Sequence, residues 1–449
     1  MSIESIPSFA RRPLSAAPLL LALVFALAFA SDAQAVITFK ITRSSDASQP
    51  IAVIPFAWRG AQGGSPNADM ASIIASDLAG TGLFDPLPFD DLPSRPSTHD
   101  EIEFGDWRLL AARYLIIGNI ASGDDGLYVV EFRLYDVPLQ DQLTALRITY
   151  PASETRRVAH QIADEIYHEI TGVRGAFDTR IAYITEQKGD DDISTYLLNI
   201  ADIDGHAPRA VLESDSPIMS PSWSPDGSHL AYVSFESNRP AIYIQEVATG
   251  LRESYVSFAG INSAPAFSPD GQSLAIVLSK DGNPEIYVMD LNSRELRRLT
   301  RNSAIDTEPS WSPDSRFLVF TSDRGGRPQI YRIPSQGGRA ERITFQGSYN
   351  ARAVYSPDGR NLAIVHRDPS SRFRIALLDL QTRYLQVLTD SRLDESPSFA
   401  PNGSMILYAT TTVGGQSALA AVSADGSVRQ QLADQPDRVR EPAWSPYRD

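Results

Sequence analysis

The chain has 449 residues, 42% of them apolar and 21% charged, which is a globular composition with room for two or three domains. Its formal net charge of −15 excludes the basic footprint of a general nucleic-acid binder. With no cysteine it has no disulfide, thiolate-ligated zinc, iron–sulfur cluster, cysteine nucleophile or lipid-bearing cysteine.

Arg11 and Arg12 precede an uncharged apolar run from Leu14 to Ala30, and Ala33-Gln34-Ala35 follows with small residues at the cleavage positions. This is the pattern of a secretory signal peptide over residues 1–35, removed after Ala35. The alternative, an uncleaved anchor, asks for about 20 spanning residues, slightly more than the run supplies. The arginine pair leaves Sec and twin-arginine export both open.

Residues 36–172 read as a small α/β domain with an extended mature N-terminus, Val36 to Pro50, that turns polar after Ile41. Ile51 to Phe56 is a strand. Asn67 is the expected cap of a helix with apolar positions Met70, Ile73, Ile74 and Leu78, ending at Gly80. Gly105 to Arg113 is helical and runs into a strand from Tyr114. Strands at Tyr128 to Val137 and Leu143 to Tyr150 follow, the first after the turn Gly123-Asp124-Asp125-Gly126. A long helix from Ser153 carries the stripe Val158, Ile162, Ile166, Ile170 and stops at Gly172; Gly172 to Thr179 is a linker.

Residues 173–449 are repetitive. The phrase Ser222-Trp223-Ser224-Pro225-Asp226-Gly227 recurs with its aromatic at Phe267, Trp311, Tyr355, Phe399 and Trp444, at spacings of 44, 44, 44, 44 and 45. The aromatic ends a short strand, and Ser-Pro-Asp-Gly is a strong turn signal. An apolar strand follows each turn, then a loop, a third strand (Tyr243, Tyr287, Tyr331, Ile375, Leu419) and a fourth (Leu299-Thr300, Ile343-Thr344). Four short strands per repeat define a propeller blade. Ile181-Ala182-Tyr183-Ile184 is a second strand with no aromatic strand before it, and Pro442 to Pro446 is an aromatic strand with no second strand after it. The prediction is a six-bladed β-propeller whose C-terminal strand closes the first blade and removes the open edge. Lys188 to Thr195 holds an insertion in that blade. Ser315, where other turns have glycine, predicts a strained or altered turn.

The search for chemistry is largely negative. A peptidase-associated propeller needs a Gly-x-Ser-x-Gly elbow; Gly271-Gln272-Ser273-Leu274-Ala275 and Gly415-Gln416-Ser417-Ala418-Leu419 lack the second glycine. His160 and His168 lack a His-Glu-x-x-His frame and read as a solvated helix face, and His229 as a structural turn residue. Asp190-Asp191-Asp192 has no EF-hand spacing, and Arg294, Arg297, Arg298 and Arg301 read as a basic surface. No catalytic residue, metal site or cofactor is expected.

The residues leading into the six aromatic strands are more informative, because the innermost strands of a propeller start together at one mouth of its channel. They include Met219, Asn262, Ala264, Thr307, Glu308, Arg352, Glu395 and Glu441. This mixture of small, amide, acidic and basic groups suits gripping a protein loop. A small-ligand or cation-binding propeller is the alternative.

Several stretches outside the repeats resemble the TolB family: Ile51-Ala52-Val53-Ile54-Pro55-Phe56 with Trp58, Ser76 to Phe84, Val130 to Val137, His160 to Tyr167, Gly175 to Tyr183 and the ending Pro442 to Tyr447. The resemblance covers nearly the whole mature chain. It implies a monomeric periplasmic scaffold of the Tol–Pal system that takes part in outer-membrane integrity and division. It implies two partners: the peptidoglycan-associated lipoprotein Pal at the channel mouth, and TolA on the segment Val36, Ile37, Thr38, Phe39. Pal would link the protein indirectly to the outer membrane. By motif position, Ala264 and Thr307 fall at Pal contacts, and Ile261 departs from the histidine that many relatives carry.

Overall fold

The computed structural model describes residues 40–43 (backbone), 48–60, 68–123, 126–189, 194–412, 414–432 and 437–448. The expected signal peptide, the segment Val36–Phe39, Asn67 and the Asp190–Asp192 run lie outside the described residues.

The first domain is a mixed sheet with helices on both faces. Tyr114–Ser122 lies at its centre, and Gln49–Val53 runs parallel to it on one side and to the edge strand Phe84–Pro86 on the other. Leu127–Asp136 and Asp141–Pro151 extend the sheet antiparallel. Helices α1 (Met70–Gly80) and α3 (Thr155–Thr171) cover one face, where Ile74, Leu78, Ile162 and Ile166 pack on Val53, Ile116 and Phe132. Helix α2 (Phe104–Leu109) covers the other face through Trp107, against Leu115, Ile117 and Tyr135. The cap of α1 is Asp69, whose carboxylate accepts the Ser72 amide at 3.3 Å. Helix α2 is shorter than the sequence suggests, ending at Leu109. Helix α3 ends at Gly172 with φ 74°, the left-handed stop that glycine adopts freely.

The rest is a ring of six four-stranded antiparallel sheets. The inner strands of blades 2 to 6 are Ile218–Trp223, Asn262–Phe267, Asp306–Trp311, Asn350–Tyr355 and Asp394–Phe399. Blade 1 consists of Arg180–Lys188, Ser194–Asp202 and Arg209–Ser214, and Arg438–Trp444 supplies its inner strand, so the chain closes the ring as the offset of the two motifs predicts. Its hairpin strands are nine residues long, against six in blade 2, which absorbs the predicted insertion. Blade 6 gains a fifth strand at its outer edge, Lys40–Arg43 paired antiparallel to Val428–Gln431.

The Ser-Pro-Asp-Gly turns are built alike. Ser224 donates to Asp226 at 2.5 Å and accepts the His229 amide at 2.9 Å. Gly227 lies at φ 68°, with Pro446 of the preceding blade just beyond it. Ser315 keeps this geometry at φ 58°, so that turn is strained and not altered. Neighbouring blades are tied by indoles: Trp223 donates to the Ala443 carbonyl at 3.1 Å and Trp311 to that of Ala266 at 3.0 Å.

The first domain packs against the turn end of blades 1 and 6. Asn402, in the blade 6 turn, donates to the Arg174 carbonyl at 3.0 Å, Gln430 donates to the Gly80 carbonyl, and Arg448 pairs with Asp178 at 3.0 Å. His160 belongs to this joint and not to a solvated face: it is 1% exposed, because the propeller covers the polar side of α3. His168 is exposed, as expected. No helix among the described residues is long and apolar enough to cross a membrane.

Candidate functional site

The opposite end of the propeller is left open, and every inner strand begins there. Each carries the same irregularity: the register slips between its second and fifth residues. The closing strand slips likewise between Arg440 and Ala443. At the third position of five strands, and at the equivalent position of the longer closing strand, a non-glycine residue adopts left-handed backbone: Ser220 (φ 55°), Ala264 (48°), Glu308 (55°), Arg352 (50°), Ser396 (57°) and Glu441 (48°). An L-residue there costs about 1–2 kcal/mol. The next residue is proline in five strands and Ala353 in the other, and proline has no amide hydrogen to leave unpaired in the bulge. Repeated bulges that re-aim a side chain are a mark of function. All six left-handed residues line a channel cavity of about 410 Å³.

Charge is concentrated at this level. The Arg352 guanidinium of blade 5 lies 3.3 Å from Glu308 of blade 4 and 3.2 Å from Glu441 of blade 1, and it donates to the Ser396 hydroxyl of blade 6. Burial opposes its charge, but Glu441 and Glu308 hold its pKa above the usual arginine value. Glu441 also accepts the Ser220 amide at 2.6 Å, and Glu308 accepts the Thr321 hydroxyl at 2.8 Å. One arginine therefore joins four blades across the channel and neutralises two carboxylates in place.

The first position of the inner strands is structural. Asn262, Asp306, Asn350 and Asp394 are all fully buried. The Asn262 amide group donates to the carbonyls of Pro240, Phe258 and Gly260 at 3.1, 2.8 and 3.2 Å. Asn262, expected as a contact residue, thus offers no side chain at the surface and instead holds the loop that presents Ile261.

Around the charged centre, Thr307 and Glu395 are half-buried, while Ile261 is 42%, Ile305 51%, Met219 40% and Leu393 37% exposed. The family resemblance pointed to Ile261, and the sequence reading missed Ile305 and Leu393 as partners of this apolar collar. The signal was present, since Ile261, Ile305 and Leu393 each immediately precede the buried Asn or Asp. Of the expected mouth residues, the structure brings together Ile261, Ala264, Thr307, Glu308, Arg352, Glu395 and Glu441. The expected TolA segment, Val36–Phe39, lies outside the described residues. Among the described residues no cluster of three or more His, Cys, Asp or Glu has the arrangement of a metal site.

The predicted basic surface is partly neutralised. Arg294 pairs with Glu253 at 3.1 Å and stacks over Tyr255, and Arg298 pairs with the buried Glu285 at 3.1 Å.

Comparison with known proteins accounts for both parts of the chain. Residues 37–143 match the family model "TolB amino-terminal domain" and residues 167–448 match "TolB beta propeller domain". The chain is 61% identical over 427 residues to the Tol-Pal system protein TolB of Nitrosococcus oceani, covering 95% of this chain and 97% of that one. It is 59% identical over 419 residues to the protein of the same name from Thioalkalivibrio sulfidiphilus, covering 93% and 95% respectively. The crystal structure of TolB from Acinetobacter baumannii superposes with a TM-score of 0.83 at 42% identity, covering 91% of this chain and all of that one. With its α/β first domain, its six-bladed ring and these relatives, the chain belongs to the TolB family of Tol–Pal system proteins.

Proposed function

We propose that the protein is a non-catalytic periplasmic scaffold that holds the peptidoglycan-associated lipoprotein Pal at the open channel mouth and engages TolA through Val36–Phe39. The observation that carries the reading is the composition of the mouth. Six re-aimed inner-strand residues surround a channel too wide to be filled by their own side chains, and an apolar collar rings a fixed charged centre. Exposed aliphatic side chains beside a few ordered hydrogen-bonding groups give a protein partner both apolar surface to bury and polar groups to pair with. Arg352 itself supplies the positive charge between Glu308 and Glu441, which favours a protein partner over a bound cation. The contact set is Ile261, Ala264, Thr307, Glu308, Arg352, Glu395 and Glu441, widened by Ile305 and Leu393. Coupling of Pal and TolA binding would serve outer-membrane integrity and constriction at division, with cleavage after Ala35 releasing the scaffold.

Calorimetric titration of residues 36–449 with the soluble domain of Pal from the same organism tests the reading. The proposal predicts saturable binding that Thr307→Arg abolishes, because the new side chain fills the rim beside Glu308. Absence of binding by the unsubstituted protein removes the Pal assignment.

A further inference from the structure

A second charged surface lies between blades 3 and 4, outside the channel. There the outermost strand of blade 3 (Leu296–Arg298) and its exit loop face the loop joining the last two strands of blade 4. They bound a groove of about 590 Å³. Arg297, Arg298, Arg301, Arg324 and Arg339 line it, and no acidic residue does. The whole chain has 55 acidic residues against 40 basic ones, so this segregation runs against its composition.

Two of the five arginines are neutralised and held in place. Arg298 lies 3.1 Å from Glu285 and Arg324 lies 2.6 Å from Asp306, both carboxylates fully buried. The other three carry unbalanced charge. Arg297 donates at 2.8 Å to a backbone carbonyl, that of Ser335, which ties the two walls of the groove together. Arg301 and Arg339 are exposed, and neither has a carboxylate partner among the described residues.

We propose that this groove binds a small phosphate-bearing anion. The planar guanidinium fork matches phosphate oxygens with paired hydrogen bonds. A phosphate monoester brings about two negative charges and three acceptor oxygens to one point, which answers three unbalanced guanidinia better than a single carboxylate does. The volume suits a ligand the size of a sugar phosphate or a lipid headgroup. Long-range attraction of anions is opposed by the net charge of −15, so affinity here is local.

The test is calorimetric titration of residues 36–449 with inorganic pyrophosphate, beside an Arg301→Gln, Arg339→Gln double variant. Both side chains are exposed, and the variant is expected to melt at the same temperature as the parent. Saturable binding, weakened by about tenfold or more in the variant and by added salt, supports the site. Absence of saturation, or equal binding by the variant, overturns it. Equal binding of a poly-glutamate peptide overturns the phosphate assignment in favour of an acidic protein surface. Sedimentation with phosphatidic acid vesicles, compared with phosphatidylcholine alone, distinguishes the sources. Co-sedimentation lost in the variant assigns a lipid headgroup, and its absence beside pyrophosphate binding assigns a soluble phosphate.

Discussion

Nδ1 of His160 lies 2.7 Å from Oδ2 of Asp77, with both side chains buried where the first domain meets the propeller. Asp204, from the blade 1 loop, approaches the other ring nitrogen at 3.9 Å and is itself bonded by Arg156. Burial opposes the charged imidazolium, but Asp77, Asp204 and Asp202 outweigh it and raise the His160 pKa to about 9.

The sign of the resulting pH dependence follows from linkage. The folded pKa exceeds the ordinary histidine value, so the stabilisation is complete below about pH 6.5 and is lost as pH rises through about 9. Thermal melting across that range is expected to show a falling midpoint. In His160→Gln the midpoint is lower at neutral pH and this part of the slope is gone. An unchanged slope in the variant assigns the pH dependence to other groups.

Asp164 titrates in a lower window. It accepts the amides of Phe177 at 2.7 Å and Asp178 at 3.1 Å, clasping the linker to α3. Burial raises its pKa to about 6, against the partial opposition of those two bonds. A carboxyl raised in the folded state binds its proton more tightly there, so stability falls as pH rises from about 4 to about 6. Urea unfolding is expected to give a stability that falls over that interval in the parent and falls less in Asp164→Asn; an equal fall in both contradicts this.

Arg352→Met is expected to cost about 3–5 kcal/mol, because Glu308 and Glu441 are left facing each other across the channel without their counterion. Urea unfolding checks the magnitude. Adding Glu441→Gln to the variant should restore part of the loss, since one of the two uncompensated charges is removed. A double variant no more stable than the single one contradicts this charge balance.

Ser315→Gly should stabilise the protein by up to about 1 kcal/mol, because φ 58° strains serine and not glycine. Loss of the Ser315 hydrogen bond to Asp270 offsets part of the gain. Urea denaturation of the two proteins measures the difference, and a lower midpoint in the variant contradicts it.

Much of the architecture was legible in the sequence because a propeller repeats its turn chemistry. The 44-residue period and the offset between aromatic and second strands imply six blades and the closing strand without any knowledge of contacts. What stayed hidden lies where one element meets two others. Helix α3 shows one apolar stripe, Val158 to Ile170, so its opposite side reads as solvated; burial of His160 there depends on a second domain that helical periodicity does not report. Asn262 reads as a surface amide for the same reason, although the 44-residue recurrence of Asn or Asp at 262, 306, 350 and 394 marks a structural role. The left-handed backbone at Ala264, Glu308 and Ser396 carries no glycine to announce it, and the following proline is its only trace.

Placement of Pal at the open mouth is tested most directly by site-specific crosslinking. A photoreactive residue is placed at Thr307, on the mouth, and separately at Ser228, in a turn at the opposite end, and each protein is mixed with the soluble domain of Pal. Pal captured from position 307 and not from 228 is the expected result. Capture from 228 alone, or from both positions equally, contradicts binding at the mouth.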